Sequence, residues 1–214
     1  MTHAIISMHN EHFQSLADLT WTKNKEIYAQ RHGYQSIVKT NNFYNIHIYF
    51  EKIWFVNDVL NQNPNIDWVW WTDCDGMITN MTTKIEDRID DNYHFIISAD
   101  CWDLNAGSFM VKNSEPGRNF IKLIMSQYDK YCNHGWADQQ AIIDNYDANK
   151  DIIKVVPQRH LNSYQYDIYP NHPRFDKYGN DGDWQMGDFF IHWPGYPMDL
   201  RIKLANEYMA KVVI

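Results

Sequence analysis

Ile66-Asp67-Trp68-Val69-Trp70-Trp71-Thr72-Asp73-Cys74-Asp75-Gly76 is the stretch whose reading decides the fold. From Ile66 to Thr72 every residue but Asp67 is β-branched or aromatic, so the segment reads as a central strand. Two carboxylates follow, Asp73 and Asp75, where the strand gives way to a turn. That spacing presents both to one cation. Their hard oxygens suit Mg²⁺ or Mn²⁺, which in turn bridges the phosphates of a nucleoside diphosphate. An Asp-x-Asp triplet is common in ordinary solvated turns, and its weight here comes from the strand end it occupies.

Outward from this strand the elements alternate. Ala4 to Met8 reads as a buried strand and Ser15 to His32 as a helix capped by Gly33. Tyr34 to Val38 reads as a strand, and Tyr44 to Leu60 as a long helix that ends before Asn61-Gln62-Asn63-Pro64-Asn65. Beyond the carboxylates, strands are expected at His94 to Ser98, Ser108 to Lys112, Ile152 to Val156 and Phe189 to His192. Helices are expected at Pro116 to Tyr131 and Asp138 to Tyr146. The early βαβαβ order makes this an α/β chain with a mainly parallel sheet, whose ligands lie beyond the carboxyl ends of the strands. No linker, repeat or charge run divides the 214 residues, which read as a single domain, 1–214.

Composition narrows the partners. With 27 acidic against 19 basic residues and a net charge of -8, the chain lacks the basic footprint of a nucleic-acid binder. A mononucleotide is compatible, because a metal held by carboxylates neutralises its phosphates. Met1 to Asn10 has neither a basic region nor a long apolar run, and no later segment reads as a membrane span. Cys74, Cys101 and Cys132 are widely separated, which fits a reducing, cytoplasmic setting. Nine Trp and fourteen Tyr fit an aromatic core and, in part, the flat surfaces that hold sugars.

Three further segments carry candidate chemistry. In Gly187-Asp188-Phe189-Phe190-Ile191-His192-Trp193-Pro194-Gly195, His192 closes an apolar run before a Pro-Gly turn and is positioned to be a third metal ligand. An isolated histidine there would more simply cap a strand. In Leu104-Asn105-Ala106-Gly107-Ser108-Phe109, small residues precede a strand and let a ligand approach the backbone; Asn105 is a candidate for sugar hydroxyls. In Ala137-Asp138-Gln139-Gln140-Ala141, Asp138 stands near a helix start, where capping is the default role and a donor pocket the functional one.

Taken in order, these motifs resemble those of GT-A glycosyltransferases, most closely glycosyltransferase family 34, the galactosyl- and xylosyltransferases of fungi and plants. Lys23-Asn24-Lys25-Glu26-Ile27-Tyr28 with Arg31-His32-Gly33-Tyr34 resembles the family's early helix, and Lys52 a lysine that approaches the nucleotide. Trp70 to Asp75 resembles its metal motif, Leu104 to Phe109 its Leu-Asn-Thr-Gly-Ser-Phe, Asp138-Gln139 its Asp-Gln pair, and His192 with Gly195 its His-x-x-Gly. Two positions depart. Ala137 replaces an acidic residue, and Pro197 replaces a lysine for which Arg201 or Lys203 is the candidate substitute.

The resemblance implies a GT-A (Rossmann-like) α/β/α sandwich. It implies Mn²⁺ or Mg²⁺ held by Asp73, Asp75 and His192. A UDP-sugar would be bound by Ser7, Lys52, Asp73, Cys74, Asp75, Asn105, Gly107, Asp138, Gln139 and Gly195. Asp138 is the candidate catalytic carboxylate, with Asp100 or Asp103 as alternatives. The expected activity is transfer of a hexose or deoxyhexose from UDP to a hydroxyl of a glycan or glycoprotein acceptor. The alternatives are a nucleotide-sugar hydrolase or nucleotidyltransferase, and a carbohydrate-binding module without turnover. The length and the expected lack of a span are also similar to glycosyltransferase domains of large algal DNA viruses. That similarity implies a capsid glycan acceptor, a host-cytoplasmic location and origin in a longer multidomain protein.

Overall fold

The structure, a computed structural model, describes residues 1–166 and 173–214. The chain runs from β1 (His3–Met8) through α1 (Gln14–Ala17), a π-helix (Asp18–Lys25) and α2 (Glu26–His32) to β2 (Gln35–Lys39). Then come α3 (Ile48–Gln62), β3 (Trp68–Thr72), β4 (Gly76–Ile78), β5 (Phe95–Ala99) and β6 (Leu104–Lys112). These are followed by α4 (Glu115–Ser126), α5 (Tyr128–Tyr131), α6 (Ala137–Asn149), β7 (Ile153–Val156), α7 (Gln158–Leu161), β8 (Phe190–His192) and α8 (Met198–Met209).

Six strands form one sheet in the order β2-β1-β3-β6-β5-β7. Only β6 among these six runs against the others. The strands alternate between two apolar layers, as a sheet buried on both faces requires. Val69 and Trp71 of β3 join Ala4, Ile6, Phe109 and Val111 against α3, α4 and α6. Trp68 and Trp70 join Ile5, Ile96 and Met110 against Trp21, Tyr28 and Phe189 on the other face. This is the expected α/β/α sandwich. Each large apolar side chain so buried contributes roughly 1.5–3 kcal/mol.

The topology also gathers the chemistry. β1, β3 and β5 end at one edge of the sheet, and the antiparallel β6 begins there, with Thr72 opposite Ser108 and Ser98 opposite Asn105. Asp73 therefore lines the same cavity as Asp100 and Asn105, about thirty residues further along the chain.

Several boundaries differ from the sequence reading. β6 starts at Leu104 rather than Ser108, so the small-residue segment lies inside a strand. α3 starts at Ile48 rather than Tyr44, because the Tyr44 and Ile46 N–H groups donate to the Glu51 carboxylate and Asn45 is left-handed at φ +58. The helix expected from Pro116 to Tyr131 breaks at Gln127. The helical run from 14 to 32 contains eight residues of π-helix, and Gly33 caps it at φ +72 as expected. β4, α7 and α8 were not anticipated. No helix among the described residues is long and apolar enough to cross a membrane.

Candidate active site

The second, two-stranded sheet completes the cluster begun by β3. β4 follows Asp75 directly and pairs antiparallel with β8, setting His192 opposite Gly76. Gly76 is required there, since a Cβ would stand 2.1 Å from the Phe190 ring. As a result, ligand atoms of Asp73, Asp75 and His192 all lie within 4.8 Å of one another. Two carboxylates and an imidazole gathered this closely are a donor set suited to a hard divalent cation. The cluster opens on a cavity of about 560 Å³ that is also lined by Lys52, Asp100, Asn105, Asp138 and Gln139.

Electrostatics at the cluster are already arranged for charge. His192 Nε2 lies 3.1 Å from Asp75 Oδ1, and Arg201 Nη2 lies 3.0 Å from Asp75 Oδ2. Burial alone would raise the Asp75 carboxyl, but these two neighbours outweigh it and hold the group at about 2. Asp73 accepts from Trp71 Nε1 at 2.8 Å and from Lys52 Nζ at 3.1 Å.

His192 is oriented by a buried relay. Asp100 can only accept, and its Oδ2 takes hydrogen bonds from Tyr164 Oη and Asn105 Nδ2, both at 2.9 Å. That fixes the Asn105 amide, whose Oδ1 then accepts from Asn162 Nδ2 at 2.9 Å and from the Gly107 N–H. Asn162 is fixed in turn, so its Oδ1 accepts the proton on His192 Nδ1 at 2.9 Å. With Nδ1 committed to Asn162, Nε2 is the nitrogen that faces Asp75, and it is the one a metal would take in place of the bond to that carboxylate. Gly107 makes the arrangement possible, because a Cβ there would stand 2.3 Å from His192 Cε1. The close approach anticipated at this glycine is thus made by the imidazole.

The three candidate catalytic carboxylates are not equivalent. Both oxygens of Asp100 are engaged, Oδ1 by the Trp102 and Asp103 N–H groups and Oδ2 by the relay. Asp103 is paired with Lys177 at 2.7 Å and lies outside the cavity lining. Asp138 lines the cavity, and its buried Oδ2 has no hydrogen-bond partner among the described residues. It is the second residue of α6, whose N-cap position is Trp136, so it does not cap the helix. Lys52 Nζ stands 3.6 Å away. Burial nevertheless pushes the Asp138 carboxyl up to about 7, against the pull of Lys52 and with the repulsion of Asp73. Burial would lower the Lys52 ammonium, but Asp138 and Asp73 outweigh it and raise the group above the usual lysine range.

The other expected residues divide. Gln139 lines the cavity and braces β6 by accepting the Ala106 N–H; Gly195 lines it with φ +74. Ser7 is buried, donates to Thr72 O at 2.7 Å and does not reach the cavity. Cys74 turns into the core beside Trp21 and Trp70, where burial pushes its thiol up to about 12. Of the two substitute cations, Arg201 reaches the cluster and Lys203 pairs with Glu207 on the surface.

A contribution the sequence reading missed comes from the π-helix. Thr20 Oγ1 donates to Cys74 O, Lys25 Nζ to Asp73 O, and the Asn24 amide makes two bonds to the Ile78 backbone. Together they clamp the turn that carries both carboxylates.

Comparison with known proteins agrees with this picture. A model of the galactosyl transferase GMA12/MNN10 family matches residues 4–93 and 89–196. The alpha-1,2-galactosyltransferase of Schizosaccharomyces pombe is 25% identical over 217 residues, covering 81% of this chain and 54% of that protein. The probable alpha-1,6-mannosyltransferase MNN10 of Saccharomyces cerevisiae is 28% identical over 184 residues, covering 66% and 46%. The chain spans about half the length of these curated relatives. Among solved structures, a glycosyltransferase involved in glycosylation of the major capsid of PBCV-1 superimposes with a TM-score of 0.76 at 17% identity, covering 97% of this chain and 100% of that one. The galactosyltransferase LgtC, solved with donor and acceptor sugar analogs, gives 0.65 at 12% identity, covering 97% and 99%. These superpositions identify the fold as GT-A.

Proposed function

The chain belongs to the galactosyl transferase GMA12/MNN10 family, and from that premise we propose that it is a metal-dependent glycosyltransferase that moves a sugar from UDP to a hydroxyl of a glycan acceptor. The observation that carries this reading is the convergence of Asp73, Asp75 and His192 on a cavity also lined by Asp138, a carboxylate whose buried Oδ2 makes no hydrogen bond among the described residues.

Asp73, Asp75 and His192 would hold a divalent ion, Mn²⁺ or Mg²⁺, which would supply Lewis-acid stabilisation of charge developing on the diphosphate. The protein's own cations add to this. Lys52 and Arg201 line the same cavity and attract the phosphates. Asn162 engages Nδ1 of His192 and so directs Nε2 to the metal position beside Asp75. Gln139, its carbonyl bonded to Ala106, keeps its amide N–H groups for donor hydroxyls.

Asp138 is the carboxylate this reading assigns to the reacting centre, because the oxygens of Asp100 are spent and Asp103 is remote. Its Oδ2, 3.6 Å from Lys52 Nζ and without a hydrogen bond, has two roles open to it, and product stereochemistry separates them. An inverted product means that Asp138 takes the acceptor proton as general base. A retained one means that it stabilises positive charge on the sugar ring. The proposal extends to a cytoplasmic capsid-glycan acceptor, supported by the PBCV-1 capsid enzyme's likeness in fold.

The test is a thermal-shift series with UDP-galactose, UDP-glucose and UDP-rhamnose, with and without Mn²⁺ or Mg²⁺. Ligands that bind the native state raise the midpoint. At least one UDP-sugar should stabilise the protein only with metal, and Asp75→Ala should abolish the shift while circular dichroism stays native. A shift that survives Asp75→Ala sinks the metal assignment. Mass analysis of products then distinguishes transfer from hydrolysis, and an absent nucleotide response with retained glycan binding marks a binding module.

A further inference from the structure

Of the nine tryptophans, Trp102 and Trp136 are the two that are exposed, at 56% and 42%, and both line the cavity of the Asp73, Asp75 and His192 cluster. The other seven are buried or half-buried. An indole exposed to this degree forgoes part of one of the largest apolar burials a side chain can make. That the chain leaves two there, both on one cavity, marks a surface kept for a ligand.

Their backbone settings are specific. Trp102 lies on the turn between β5 and β6, its N–H donated to Asp100 Oδ1 at 2.8 Å. Trp136 immediately precedes α6, its N–H donated to His134 Nδ1 at 3.2 Å. Ala137 follows with φ +39, in the left-handed region that residues with a Cβ rarely adopt. Backbone strain of this kind persists where the surroundings enforce it, often at functional sites. Around Ala137, Trp136 stays exposed while Asp138 is buried, and both line the cavity.

The sheet order sets the Trp102 turn apart from the strand that carries the metal ligands. β5, which leads to Trp102, lies beyond β6 from β3, the strand that ends at Asp73. Phosphate-attracting cations stand on the metal side, where Lys52 meets Asp73 and Arg201 meets Asp75. The same lining offers the flat faces of Trp102 and Trp136 together with Gln165 and Tyr166. A pyranose has matching chemistry, with a C–H face for an indole and hydroxyls at its edge for amides and phenols.

We propose that Trp102 and Trp136 form the acceptor subsite, holding a pyranose by its C–H face so that one of its hydroxyls reaches the sugar beside Asp138. This rests on the transferase reading above.

The experiment uses saturation-transfer NMR with methyl α-D-mannopyranoside and methyl β-D-galactopyranoside in the presence of UDP and Mg²⁺, with UDP affinity measured by calorimetry. Wild-type protein should transfer saturation to the ring protons of at least one pyranoside. The Trp102→Ala/Trp136→Ala double variant should lose that signal at least tenfold, and Trp102→Phe/Trp136→Phe should restore part of it. UDP affinity should stay within twofold throughout. Three outcomes overturn the subsite: undiminished signal in the double alanine variant, no pyranoside binding by wild-type protein that binds UDP, or a tenfold loss of UDP affinity in the double variant, which would assign the indoles to the nucleotide. Pyranoside binding that depends on both indoles, in a protein with no affinity for UDP and Mg²⁺, would instead leave the subsite standing and sink the transferase reading.

Discussion

His192 Nδ1 donates to Asn162 Oδ1 at 2.9 Å, and this hydrogen bond decides which imidazole nitrogen faces Asp75. Removing the acceptor frees the tautomer. Asn162→Ala should therefore weaken Mn²⁺ binding by about 10- to 100-fold, the usual cost of losing such a partner. Asn162→Asp keeps an acceptor for Nδ1 and should lose less. Calorimetric titration of the metal, with ¹⁵N chemical shifts of His192 in the metal-free protein, checks both. Equal tautomer populations in wild-type and Asn162→Ala protein would refute the relay.

Gly107 tests the same imidazole sterically. A methyl group at this position would overlap His192 Cε1 at 2.3 Å and Nδ1 at 2.8 Å. Gly107→Ala must push the ring away or shift β6, and overpacking of this kind costs about 1–3 kcal/mol. Loss of metal affinity with only a modest fall in melting temperature is the expected result. An alanine variant that binds metal as tightly as wild-type would show that the ring's position is unimportant.

These two residues also show why part of the site could be read in sequence and part could not. The Trp68–Thr72 strand is legible because it is apolar on both faces, and Asp73 and Asp75 are legible because they stand at its end. Gly107 is legible as a close approach, though only the structure shows that His192 makes it. Asn162 has no local signature at all. Its role exists only because β8 brings His192, 30 residues away, and β6 brings Asn105, 57 residues away, to the same amide. The π-helix was equally hidden, since its apolar spacing does not differ visibly from that of an α-helix over eight residues.

Lys25 gives that π-helix a measurable role. Its ammonium is fully buried, donates to Asp73 O at 3.0 Å, and is lowered to about 8 by burial despite Cys74, Asp75 and Asp73 nearby. Lys25→Met fills similar volume and removes a buried charge, a change that is often neutral for stability. The clamp on the carboxylate turn is lost all the same. Metal affinity should fall about tenfold at an unchanged melting temperature, a loss in the range seen when partners that orient a metal site are removed. A variant that keeps full affinity would make the clamp dispensable.

Asp138 has the sharpest dependence on pH. Its folded-state carboxyl sits at about 7, whereas an aspartate in the unfolded chain titrates near about 3.9. Below pH ~4 both states hold the proton, and the stability associated with the raised value is fully present. As pH climbs from about 4 to 7 the unfolded chain releases its proton first, so that stability is lost until Asp138 itself ionises. Asp138→Asn cannot ionise and escapes the loss. In EDTA, with no nucleotide, its melting temperature relative to wild-type should climb across this window and level off above pH 7, each kcal/mol appearing as about 2–4 °C in a chain of this size. The same variant should lose about 10²- to 10⁴-fold in transfer rate, the usual contribution of a carboxylate acting on a proton in flight, while keeping metal-dependent UDP binding. A melting-temperature difference that stays flat from pH 4 to 8 would mean that Asp138 is ionised throughout, and its buried oxygen would then need a cation closer than Lys52.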